Sequence, residues 1–236
     1  MRNFFIQARA FEVCRSIIFN EASFLAAPEW MRLTDALADT GDGAPGSALN
    51  EMLKLIVLCS SLRVRTSQFI QSLTATSSSS SGNTHLDALE IATEGFELCE
   101  AMEEWKSKAS FQQQNQQEAL LSTTFYSATR IYLSGNYDYD LQHWRAMAVA
   151  VPVLHEDQVN EHFETIIHTT RSALKSSRLS PLLFLFPLRV AGARARRREQ
   201  RDAVSDLLRE VRKQFVVADA MLDELKKLWS RSPIAP

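Results

Sequence analysis

Apolar residues recur three or four positions apart along most of this chain, and strict strand-like alternation is absent. Phe4, Ala8, Phe11, Cys14 (or Arg15) and Ile18 share one helical face and predict a helix from Phe4 to about Phe19. Asn20 to Pro28 breaks that pattern. Leu53, Ile56, Val57, Ser60, Val64 and Ser67 predict a second long helix over 49–73. Leu89, Ala92, Phe96, Cys99 and Met102 form one stripe ending near Trp105. Thr84 and Asp87 read as a capping box at its start, where side-chain oxygens satisfy the first free amides. The next helix carries Leu120, Leu121, Thr124, Phe125, Ala128, Ile131 and Tyr132 on one side, with Gly135-Asn136 as a left-handed cap. A shorter helix with Leu141, Trp144, Ala148 and Val151 is expected to stop around Pro152. Another carries Val159, Phe163, Ile166, Ile167 and Leu174, and Ser180-Pro181 reads as an N-cap with a first-turn proline.

The last helix is expected to begin near Arg197 and run unbroken. Val204, Val211, Ala218 and Leu225 fall seven apart, with Leu208, Phe215, Leu222 and Trp229 each four further on. Such a seam suits a coiled-coil dimer or a terminal helix packed on its own domain. Leu207, Val216 and Val217 widen the stripe and favour the second. The pattern therefore predicts an all-α fold, an irregular bundle of seven to nine helices with antiparallel pairs as the stacking option. It is read as a single α-helical domain over 1–236, with flexible loops at 40–47 and 75–84 and a tail at 230–236. "TGDGAPGS" and "TSSSSSGNT" mark the loops, and "QQQNQQ" at 112–117 reads as the entry to a helix.

Composition supports this picture, since seven glycines and seven prolines in 236 residues are few for a fold of many tight turns. The net charge of −2 gives no global field favouring DNA or an anionic membrane. Arg9, Glu12 and Arg15 interrupt the first apolar stretch, which does not read as a signal peptide. The longest apolar run, Leu179 to Leu188, would span only about 15 Å as a helix, against a hydrocarbon core of about 30 Å. Cys14, Cys59 and Cys99 lie far apart and read as buried apolar residues in a reducing compartment.

Catalytic, cofactor and metal chemistry find no support. His155, His162 and His168 are seven and six apart, not the four that brings two rings to one zinc ion. No nucleophile elbow, phosphate loop or dinucleotide fingerprint occurs. Glu100, Glu103 and Glu104 read as a solvated helix face. The densest charge is basic: Arg194, Arg196, Arg197, Arg198 and Arg201, with Arg189 upstream and Glu199 the one acid among them. It reads first as a solvated helix junction, next as a nuclear-import patch, and last as a nucleic-acid contact, because no aromatic residues interleave for stacking.

Three stretches carry a family resemblance. In "RAFEVCRSIIFNEASFLAAPEW", Phe11, Glu12, Arg15, Phe19, Phe24, Leu25, Pro28, Glu29 and Trp30 resemble a segment of the fungus-specific transcription factor domain, the regulatory region downstream of zinc binuclear cluster motifs. Ser180, Pro181, Pro187, Leu188, Ala191, Gly192, Ala193 and Arg201 follow a second pattern of that family. "LDELKKLW", closing on Trp229, looks like its terminal helix. Arg189 stands where the family usually has an aromatic or aliphatic residue, Ala193 where a cysteine is usual, and Gln214-Phe215-Val216-Val217 where a glycine often precedes the last helix. A zinc cluster needs six cysteines, and three are present.

The resemblance implies a nuclear transcriptional regulator, with cytoplasm as the alternative location. It would act through its regulatory domain without its own DNA-binding motif, in the manner of regulators of fungal secondary-metabolite pathways. It implies protein partners (transcription machinery or a DNA-binding regulator), with a small-molecule effector and a homodimer as further options, and no direct DNA or membrane binding. The alternative function is a helical interaction scaffold or oligomerisation module unrelated to transcription.

Overall fold

A computed structural model describes residues 2–39, 48–75, 81–109 and 116–231, with side chains over 8–34, 48–74, 84–108 and 117–231. The fold is all-α: the described residues form ten α-helices and two short 3-10 turns, and no strand. By its contacts the chain divides into two compact units. The first comprises Met1–Cys14, Gln113–Ile131 and His155–Pro236, and the second Arg15–Gln112 and Tyr132–Leu154. The expected loop at 40–47 and the residues 76–80, 110–115 and 232–236 lie outside the described residues.

In the second unit, α1 (Arg2–Phe19) ends on Asn20, whose φ of 53° is left-handed. The Glu21 amide bonds back to the Ser16 carbonyl and the Asn20 amide to that of Ile17, so the last carbonyls are satisfied within the turn. Ser23 then caps a 3-10 turn, Phe24–Ala26, by accepting from the Leu25 amide at 3.2 Å. Pro28 opens α2 (Pro28–Asp39) where its missing N–H costs nothing. This helix is absent from the sequence expectation, as is the Phe24–Trp30 ring pair at 5.2 Å beside it.

The long helices α3 (Ala48–Ala75) and α4 (Ser81–Ala109) pack antiparallel. The Trp105 indole donates to the Ala48 carbonyl at 2.7 Å, joining the end of α4 to the start of α3. Arg65, late in α3, pairs with Glu94 and Glu90, early in α4. Met52, Leu53, Ile56 and Leu62 of α3 and Ala88, Ile91, Ala92 and Met102 of α4 are all buried in this unit. The helix begins at Ser81, so Thr84 lies inside its first turn rather than at a cap, and the expected loop to residue 84 ends sooner.

α5 (Gln116–Asp138) also departs from expectation, running through Gly135 and Asn136 instead of closing on them. Both are buried. The cost of a helical glycine, about 1 kcal/mol, is outweighed by the turn beyond it. Tyr137 is fully buried there, donates to the Ile91 carbonyl at 2.9 Å, and Arg63 donates to the Gly135 carbonyl at 3.1 Å. Burial raises the pKa of the Tyr137 phenol, with smaller contributions from Cys59 and Cys99. Trp144 of α6 (Leu141–Ala146) packs on Tyr137 and Phe69, with centroids 5.4 and 5.7 Å away. α6 stops well before Pro152, because Ala148 adopts a left-handed φ of 55° and the Val149 amide returns to the Trp144 carbonyl.

The first unit holds the opening of α1, most of α5, and α7 (Glu156–Ser176), α8 (Leu185–Arg194), α9 (Arg198–Arg212) and α10 (Val217–Arg231). A 3-10 turn, Pro181–Phe184, leads into α8. Phe125 of α5 meets Phe186 of α8 edge to face at 5.9 Å. Cys14 is buried in this unit, and burial pushes its thiol up to about 12 despite a bond from the Phe186 backbone. Cys59 is buried in the second unit and Cys99 half-buried.

The expected unbroken last helix is two helices. A turn over 213–216 separates α9 from α10, and the pair is antiparallel. Arg212 meets Asp219 at 2.9 Å near the turn, while Arg201 lies over the Trp229 ring at the open end. Folding back buries Val204, Leu208, Val211, Ala218, Leu222 and Leu225 together within one unit. A straight helix of this length would leave much of that apolar seam uncovered. With α2, this break raises the helix count among the described residues to ten.

Gly95 supplies a test of the α4–α5 packing. A Cβ there would collide with the Tyr137 hydroxyl and approach the Pro152 ring at 3.0 Å. Gly95→Ala should therefore destabilise the protein by about 1–3 kcal/mol, although alanine is the better helix former. In a Tyr137→Phe background, where the colliding oxygen is gone, the penalty should shrink. Urea unfolding of the four chains measures both effects.

Candidate functional site

The basic junction between α8 and α9 is the one region to which the sequence assigns candidate functional residues. α8 is buried almost all round, with Leu185, Phe186, Pro187, Leu188, Val190, Ala191 and Gly192 inside. Pro187 sits in its first turn, where the amide would be unpaired in any case. Ser180 is the N-cap of the preceding 3-10 turn with Pro181 at its first position, but its side chain makes no capping bond. Arg189 is the charged residue within the body of α8, ahead of Arg194 in its last turn, and its guanidinium meets Glu224 of α10 at 2.5 Å. That ion pair accounts for a cation where the resembled family carries an apolar residue.

At Gly192 side chains of both α9 and α10 press on the backbone of α8. A Cβ there would stand 2.5 Å from Leu225 Cδ1 and 3.2 Å from Val204 Cγ1. The Trp229 indole donates to the Gly192 carbonyl at 2.8 Å. Arg201 then covers Trp229, its guanidinium carbon 5.7 Å from the ring centroid, while its Nε donates to the Ala195 carbonyl at 3.1 Å. Gln200 organises the start of α9. Its Oε1 accepts from the Arg196 and Arg197 amides at 3.1 and 3.2 Å, and its Nε2 donates to Asn160 of α7 at 3.1 Å. Gln200 is absent from the candidate set. A glutamine three residues after a helix start is the available signal.

The five candidate arginines thus divide by environment. Arg201 is half-buried and anchors the hairpin, and Arg194 is half-buried on the last turn of α8. Arg196, Arg197 and Arg198 are exposed side by side. Arg196 approaches Glu156 and Arg198 approaches Asp202, each only at 3.9 Å. Such solvent-screened pairs hold a cation weakly.

The histidines are not brought together. His155 is exposed at the start of α7, its amide donating to Gln158, and His168 is exposed further along. His162 lies against Tyr126 and 3.4 Å from the Ser127 hydroxyl. Among the described residues no group of three metal-ligating side chains converges. Glu100, Glu103 and Glu104 are exposed, and Lys108 beside Glu104 at 2.6 Å lowers the pKa of its carboxyl. No helix among the described residues is long and apolar enough to cross a membrane.

Anchoring and exposed residues at this junction should respond differently to substitution. Trp229→Phe keeps most of the packing but removes the donor to Gly192, and should cost about 1–2 kcal/mol. Arg196→Ser should stay within about 0.5 kcal/mol of the parent. Chemical denaturation compares the two.

No curated protein and no solved structure matches the chain. The family model for the fungal specific transcription factor domain matches residues 12–234. That span contains the capped turn at Ser23–Trp30, the α8 helix with Gly192, and the closing hairpin with Trp229. The chain belongs to the fungal specific transcription factor domain family.

Proposed function

We propose that this chain is a transcriptional regulator acting through protein contacts of its helical regulatory domain, with no DNA-reading module and no catalytic role. The observation that carries this reading is the family match over residues 12–234. The dispersed cysteines support the absence of DNA reading: two are buried, one is half-buried, and they lie on three different helices. The slightly negative net charge points the same way. A secondary-metabolite pathway is the setting that the resemblance suggests.

Nuclear import through Arg196, Arg197 and Arg198 belongs to the same proposal. These cations crowd the N-terminal end of α9, where the helix dipole is already positive, an arrangement that costs about 0.3–1 kcal/mol per charge. Glu199 and the Gln200 cap offset part of that. Residues that work against their own helix are better explained by a soluble receptor with an acidic groove than by folding. Arg194 and Arg201 are the less accessible members of the patch.

Three experiments test these statements. Fused to a heterologous DNA-binding domain, the chain should change transcription of a reporter carrying the cognate sites. In a gel-shift assay at physiological salt the unfused chain should form no sequence-selective complex; a tight selective one would sink the proposal. Replacing Arg196, Arg197 and Arg198 with serine should shift a fluorescent fusion from nucleus towards cytoplasm. An unchanged distribution would remove the import role.

A further inference from the structure

The α4 helix carries two arcs of apolar surface, and only one is covered. Ala88, Ile91, Ala92, Leu98 and Met102 are buried against the second unit's core. Leu86, Leu89 and Phe96 form the other arc, with Thr93 in line between Leu89 and Phe96. The four are spaced three, four and three residues apart, and all are exposed. Leu86 is 65% exposed, Phe96 47% and Leu89 41%. That is the spacing of a helix–helix seam, extending about 15 Å along the axis. Three large apolar side chains in one line on one helix are not the scattered exposure that every surface shows. Thr93 is the small, half-apolar member of the line, and it leaves a gap between its two large neighbours.

The charges beside the arc indicate what would cover it. Glu90 and Glu97 occupy equivalent positions along one flank, Glu94 stands behind them, and Glu100 continues the line of the arc itself. Arg65 of α3 reaches Glu90 and Glu94, offsetting one of these four negative charges. Leu58, two turns before Arg65 on the same face of α3, adds apolar surface at 37% exposure. A second copy of α4 laid antiparallel on this arc would set Glu90 and Glu97 against their own counterparts, an unfavourable pairing. A cationic partner meets no such penalty.

We propose that the exposed face of α4 formed by Leu86, Leu89, Thr93 and Phe96 docks an amphipathic helix of a partner protein whose apolar seam is flanked by lysine or arginine. This deepens the regulatory reading above by stating the chemistry of one partner, and it rests on that reading. The partner's leucine-type side chains sit between successive residues of the arc, one of them over Thr93, and its cations lie along Glu90, Glu97 and Glu100. Apolar contact supplies affinity, and the acidic flank sets specificity and salt dependence.

The test uses the full chain and two synthetic amphipathic helical peptides with identical leucine seams, one flanked by lysine and one by glutamate. Fluorescence anisotropy should show the lysine-flanked peptide binding with a Kd of about 1–100 μM and weakening with salt. The glutamate-flanked peptide should bind at least about tenfold more weakly. Leu86→Ser/Phe96→Ser, both at exposed positions, should abolish binding with circular dichroism unchanged. Glu90→Lys/Glu97→Lys should reverse the peptide preference, a readout that loss of folding cannot mimic. Equal binding of both peptides, binding by neither, or binding that survives the serine substitutions would overturn the proposal. So would a wild-type dimer in sedimentation that the serine variant converts to monomer, since a second copy would then be the occupant. Reporter activity separates the two levels. A serine variant that still acts when tethered leaves the regulatory reading standing without this surface. A wild-type chain that binds the peptide but is inert when tethered does the opposite.

Discussion

The absence of a side chain at Gly192 is the constraint on which the α8–α9–α10 assembly depends. Leu225 and Val204 occupy the space that a Cβ would take, so both helices of the terminal hairpin press on the backbone of α8. That approach brings the Trp229 indole within hydrogen-bond distance of the Gly192 carbonyl, and Arg201 then closes over the ring. The chain reversal over 213–216 follows from the same requirement. Only an antiparallel return places Leu225 and Trp229, from the end of the chain, beside residues near the start of α9. The ion pair of Arg189 with Glu224 lies on the same contact and lets a charged residue remain on an otherwise buried helix.

The second unit reaches the same kind of solution at Gly95. There the intruding group is the Tyr137 ring, held by its bond to the Ile91 carbonyl and supported by Trp144. In each unit a glycine on one helix admits a large side chain from another, and an aromatic residue donates to a helical carbonyl nearby. Side-chain donors of this kind fix the sliding position of helices that apolar packing alone would hold less specifically. The Trp105 bond to Ala48 does the same for the α3–α4 pair.

The periodicity of the chain carried most of this architecture. α1, α3, α7 and the body of α5 follow from apolar spacing because one face of each is buried. The terminal heptads identified the right residues but not their arrangement. A seven-residue repeat predicts the same buried positions whether the helix continues or folds back. Gln214-Phe215-Val216-Val217 contains no glycine or proline to announce a turn. Gly135-Asn136 failed in the other direction. A strong local stop signal was overridden by the burial of Tyr137, which depends on a residue far away in sequence. On α4 the pattern merged two arcs, placing Leu89 and Phe96 with Ala92 and Met102; which arc is covered depends on where α3 lies. The arginine patch was legible as a cluster, but only tertiary contacts separate the anchoring Arg201 from the exposed Arg196, Arg197 and Arg198.

The terminal hairpin also bears on the order in which structure forms. Its two helices are neighbours in sequence, and its contacts, from Arg212 with Asp219 out to Arg201 with Trp229, link residues at most 28 positions apart. Contacts so local require little loop-closure entropy, and chains rich in them fold fast. The hairpin can zip from its turn outward before α8 arrives, and the Gly192 contact then locks a preformed pair. Synthesised after the rest of the described fold, the hairpin would thus complete the domain as a prefabricated piece, rather than wait on the remote contacts that Tyr137 needs.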